Sequence, residues 1–78
     1  MNTADHQRLI DELDTLLSQI AALLHRFETA GCSATMKADY IALHELQARA
    51  MEQRQEHTHA IADVQRQIAL AITNVEIH

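Results

Sequence analysis

Six histidines stand in a chain of 78 residues: His6, His25, His44, His57, His59 and His78. Imidazole is the commonest metal ligand and the side chain best suited to moving protons near neutral pH, so the spacing of these residues is the first test of chemistry. Two ligands on one helix share a face only when they are three or four residues apart. No two of these histidines have that separation. His57 and His59 are two apart and would point different ways on a helix. Asp39, Tyr40 and His44 together offer one nitrogen and no second nitrogen or sulfur donor. The expectation is no metal and no cofactor, with the histidines on a solvated polar face and His57 the one suited to a subunit contact.

Cys32 is the only cysteine. A thiol beside a base can act as a nucleophile, but it needs an oxyanion hole and a concave pocket, which a short helical chain rarely supplies. Asp11, Glu12 and Asp14 read as a solvated face rather than an acid–base pair. The single glycine, Gly31, cannot build a phosphate-cradling loop. The sequence therefore predicts no catalytic residues and no enzyme. A lone cysteine makes no intrachain disulfide, which fits a reducing compartment. The polar start Met1-Asn2-Thr3-Ala4-Asp5 lacks the basic and apolar regions of a secretory signal. The longest apolar run, Ile20 to Leu24, is far short of the ~20 residues of a membrane span. A cytoplasmic protein without a membrane partner is expected. Net charge is −5, eleven acids against six bases. Arg8, Arg26, Lys37, Arg49, Arg54 and Arg66 are scattered and make no basic stripe, which argues against a nucleic-acid partner.

The elements that would position these residues are helices. The chain has no proline and only two aromatics, Phe27 and Tyr40, and Leu, Ile, Ala, Gln, Glu and Arg dominate. Ile10, Leu13, Leu17, Ile20, Leu24 and Phe27 fall at alternating spacings of three and four, an a/d seam. The sequence predicts a first helix over about residues 4–29, with Asn2 or Thr3 as its cap and Asp5 near its positive end. Leu9, Leu16 and Leu23 form a second row, so this face is wide enough for two neighbours. Residues 29–35 read as one turn, with Gly31 in the left-handed position and Ser33 or Thr35 capping the next helix. A second helical stretch runs over about residues 36–76. Met36, Tyr40 and Leu43 open a seam that Leu46, Ala50 and Met51 continue less tidily. A polar waist extends from Glu52 to His59. The seam returns with Ile61, Val64, Ile68, Ala71 or Ile72, and Val75.

At ~1.5 Å rise per residue the second stretch would be about 60 Å long and the first helix about 38 Å. In a hairpin the first helix covers roughly residues 36–58 and leaves the later row uncovered. The expected fold is all-α: an antiparallel helical hairpin with a long second helix, assembling into a helical bundle. The core seam would be Ile10, Leu13, Leu17, Ile20, Leu24, Phe27, Tyr40 and Leu43. The seam for a protein partner or a second copy would be Ile61, Val64, Ile68, Ile72 and Val75. The alternative is a closed three-helix bundle in which Thr58 caps a third helix after a break in the waist. The waist has no Gly, Pro, Asn or Asp to make that break.

Gly31-Cys32, then Tyr40-Ile41-Ala42-Leu43, then Gln47-Ala48-Arg49-Ala50-Met51-Glu52 form a pattern that is similar to the small E-type co-chaperones of type III secretion needle subunits. The resemblance covers about residues 20–52. It implies a short helical-hairpin protein of the bacterial cytoplasm that stabilises a larger, tetratricopeptide-like chaperone. Together the two would hold the needle subunit and block its premature polymerisation. Two other interaction classes fit the same seams. One is a phage- or plasmid-encoded regulator or inhibitor acting by helix docking. The other is a dimeric RNA-binding hairpin that brings Arg8, Arg26, Arg49 and Arg54 of two chains onto one face.

Overall fold

The computed structural model describes the backbone of residues 1–77 and the side chains of residues 1–72. Among the described residues three helices occur in order: α1 (Thr3–Thr29), α2 (Cys32–Thr35) and α3 (Lys37–Ile77). α1 and α3 pack antiparallel into a hairpin measuring 67 × 19 × 16 Å.

Local chemistry sets the ends of α1. Asn2 is the N-cap: its Oδ1 accepts from the Asp5 backbone N–H at 2.9 Å, and the Asp5 carboxylate accepts from the Asn2 N–H at 3.4 Å. This reciprocal capping box satisfies two of the donors that a helix start leaves unpaired. At the other end the Ala30 and Gly31 N–H groups donate to the carbonyls of Arg26 and Glu28 at 3.0 and 3.3 Å. Gly31 has φ +70°, the left-handed conformation in which a side chain costs ~1–2 kcal/mol.

The connection is tighter than the sequence suggests. Only Ala30 and Gly31 lie between α1 and α2, and Cys32–Thr35 coils into one further helical turn. Met36, at φ −114° and ψ 46°, breaks it from α3. The Thr35 hydroxyl donates to the Cys32 carbonyl at 3.4 Å, so it serves α2 rather than capping the long helix.

α3 runs 41 residues without interruption through the polar waist. The long second helix is therefore what forms, and the three-helix alternative is not. Thr58, the residue that would cap a third helix, instead donates to the Arg54 carbonyl at 2.9 Å, the back-bond of a mid-helix threonine.

The core is thin. Ile10, Ile20, Leu24 and Ala50 are buried, between 3% and 6% exposed. Leu13, Leu17 and Phe27 of α1 and Tyr40, Leu43 and Ile61 of α3 are half-buried around them. On α3 the row facing α1 differs from the expected one. Leu46 and Met51 are 42% and 57% exposed. Gln47, Ala50, Arg54 and His57 take the inward positions, continuing the three–four spacing from Leu43 to Ile61. Ala50 is buried at mid-seam because its side chain is small enough for two backbones to approach.

Two substitutions test this packing. Leu24→Ala should lower stability by about 2–5 kcal/mol through lost burial and a residual cavity. Ala50→Leu adds apolar surface and keeps helix propensity, yet should cost about 1–3 kcal/mol by overpacking. Thermal and urea melts measure both. An Ala50→Leu chain as stable as the parent would mean that the helices are not in close contact there.

Candidate protein-interaction site

Three polar contacts tie α1 to α3 along the seam. At the turn end the Tyr40 hydroxyl donates to Glu28 Oε1 at 2.8 Å. The Tyr40 ring lies 6.3 Å from Phe27 and meets the edge of His44 at 4.7 Å. In the middle, Arg54 Nε and Nη2 donate to the two carboxylate oxygens of Asp14 at 2.5 and 3.5 Å. At the open end His6 Nδ1 and His57 Nδ1 are 2.8 Å apart, with ring centroids 5.0 Å apart. One imidazole donates and the other accepts.

The electrostatics derive from these pairs. Glu28 raises the Tyr40 pKa above its ordinary 10.0, first through the hydrogen bond, then through partial desolvation and charge. Asp14 raises that of Arg54, by hydrogen bond and then by charge, so the guanidinium is held more firmly in its cationic form.

The sequence suggests a solvated face or a subunit contact for His57. It sits instead against His6 of its own chain. Spacing within one helix cannot reveal this pair. The signal is the seam itself: Leu43, Gln47, Ala50, Arg54, His57 and Ile61 keep three–four spacing straight through the polar waist. Cys32 is half-buried in α2, its Sγ 3.8 Å from the Ala30 carbonyl. Among the described residues, no three His, Cys, Asp or Glu side chains gather in a way that could hold a metal ion. No helix of the described residues is long and apolar enough to cross a membrane.

Two apolar surfaces remain outside the seam. The first is one flank of the hairpin. Leu16 and Leu23, from the second leucine row of α1, are 36% and 39% exposed, and Leu46 of α3 is 42% exposed. Near the turn these helices form a shallow groove lined by Leu23, Phe27, Ala42, Leu43 and Leu46, with Asp39 at its rim. The opposite flank has a wider depression in which Leu17, Ala48 and Met51 stand among Asp14, Glu52, Arg54, Gln55, Thr58 and His59.

The second surface is the part of α3 beyond α1. Ile61, expected in the uncovered row, is half-buried and shares a depression with Gln7 and Ile10. The N-terminal part of α1 reaches it, so the uncovered row begins one turn later. Val64 is 39% exposed, and Ile68 and Ile72 are each 55% exposed. Val75 belongs to the same row by sequence, and its side chain lies outside the described residues.

No family model, curated protein or solved structure matches this chain.

The Tyr40–Glu28 bond gives a pH dependence of definite sign. A hydroxyl whose folded-state pKa is raised contributes stability that is complete below its ordinary pKa and is lost as pH rises through the raised value. Tyr40→Phe should therefore melt below the parent at neutral pH, and the gap should close in strong alkali as the tyrosine ionises. Thermal midpoints of both chains across that range are the measurement. A gap that does not change with pH would mean that the hydroxyl makes no such bond.

Proposed function

We propose that this chain is a non-enzymatic protein-interaction module whose leucine-lined flank docks on a partner protein. We further propose that it is a co-chaperone stabilising a larger, tetratricopeptide-like chaperone of a type III secretion needle subunit in the bacterial cytoplasm. One observation supports the first reading above all. Among the described residues four hydrophobic side chains are buried, while eleven large ones are exposed. A chain this short is marginal even with a full core. Apolar surface left out in contiguous patches on a small protein marks an interaction site.

The narrower reading draws on the resemblance over residues 20–52. That stretch contains Gly31 of the turn, Tyr40 that closes the hairpin end, and the whole groove from Leu23 to Leu46. A partner helix laid against Leu23, Ala42 and Leu46 would complete a three-helix layer and desolvate the flank that the hairpin leaves wet. Small Ala42 in the floor, between larger leucines, suits a side chain inserted from above. In this reading the chain performs no chemistry. It lends an apolar face to its partner and takes one in return.

Co-expression with a tetratricopeptide-like chaperone of a type III secretion needle subunit should yield a complex that survives size exclusion. Leu23→Asp combined with Leu46→Asp should weaken that complex by about tenfold or more, the equivalent of ~1.4 kcal/mol. Both leucines are already partly exposed, so circular dichroism of the double variant should keep its helical signal. Failure to form the complex would overturn the co-chaperone reading. A complex unaffected by the two aspartates would overturn the flank as the docking face.

A further inference from the structure

We propose that the uncovered part of α3 is a self-association site, in which the tails of two copies pair antiparallel and cover each other's Val64–Ile68–Ile72 row. This is a second surface on another part of the molecule, and it does not depend on the docking of a partner at the flank.

Continuity with the intrachain seam argues for it first. From Leu43 to Ile61 the inward positions of α3 keep three–four spacing and are covered by α1. Val64, Ile68 and Ala71 continue the same spacing on the same face after the cover ends, and Ile72 widens it. An apolar seam of this period is filled by another helix lying along it. The occupant therefore takes up the line of α1, beginning where Thr3 leaves off.

Charge argues that this helix belongs to a second copy. Two identical surfaces meet with like groups near one another, so a self-pairing face has to be free of net charge. Between Val64 and Ile72 the only charged residue is Arg66. It lies on the far side of the helix from Ile68, where it donates to Asp63 at 3.1 Å. Gln65 and Gln67 edge the row instead. A chain with net charge −5 thus keeps its charge off this face.

The register is set by packing. In an antiparallel pair the a positions of one helix meet the d positions of the other. Such registers recur every seven residues. The one centred on the uncovered row sets Ile68 of each copy against Ala71 of the other. The contact is short, so the dimer is weak and concentration-dependent.

Analytical ultracentrifugation from low micromolar to several hundred micromolar tests the association. The parent chain should pass from monomer to twice that mass as concentration rises. Ile68→Asp should remain monomeric over the whole range with its helical signal retained, since Ile68 is exposed in the single chain. In a Cys32→Ser background, a mixture of Ile68→Cys and Ala71→Cys chains should oxidise mainly to the mixed disulfide. A parent that stays monomeric throughout overturns the proposal. So does an Ile68→Asp chain that dimerises like the parent, or one that loses its helicity globally. Disulfides formed mainly between like positions would overturn the antiparallel pairing. None of these outcomes involves the flank leucines, so partner capture stands or falls separately.

Discussion

Two helices lying side by side can each hide only the stripe that faces the other. That limit governs this molecule. The stripe on α1 runs through Ile10, Ile20 and Leu24, and among the described residues its buried counterpart on α3 is Ala50 alone. The chain carries far more apolar surface than these stripes can take in. Leu16, Leu23 and Leu46 are turned out along one flank, and Val64, Ile68 and Ile72 lie past the end of the cover. Both exposed surfaces result from pairing a helix of 27 residues with one of 41 and adding no third layer.

A seam with so few buried contacts needs something else to fix its alignment. Smooth apolar rows slide past one another by whole turns at little cost. The polar positions do not. Tyr40 finds Glu28, Arg54 finds Asp14, and His57 finds His6 in one alignment of the helices. Each pair is partly open to solvent, and exposed ion pairs add little to stability. Their value lies in specificity: shifting α3 by one turn would strand a guanidinium and an imidazole against leucine and isoleucine. The three pairs are spread over the turn end, the middle and the open end, so they hold the alignment along its whole length.

Much of this fold is legible in the sequence, and the reasons are local. The three–four spacing from Ile10 to Phe27, the cap at Asn2 and the left-handed glycine at position 31 are short-range effects. The absence of any breaker between Glu52 and His59 foretells the continuous α3. What stays hidden is the face that α3 turns inward. Counting apolar residues favours Leu46 and Met51 over Gln47, Arg54 and His57. The polar residues go inward because their partners sit on the other helix, 40 residues away for Arg54 and 51 for His57. No window along one strand of sequence contains both members of such a pair. The same blindness places Ile61 in the open. The leucine row at positions 9, 16 and 23 is visible and points to a second neighbour for α1, though not to the groove it makes with Ala42 and Leu46.

The unbroken α3 also makes the molecule a ruler. Leu43 borders the groove near the turn and Ile68 centres the tail, 25 positions further along the same helix. At ~1.5 Å per residue that fixes the two surfaces about 38 Å apart. It also fixes their angular phase, since each residue advances the helix by about 100°. Whatever sits at either end is held at a set distance and a set rotation from the other, with the waist as a rigid spacer. One residue inserted into α3 just after Ile61, beyond the reach of α1, would lengthen the spacer only slightly. It would swing the tail more than a quarter turn around the axis, so the phase of the rod is far more sensitive to sequence than its length.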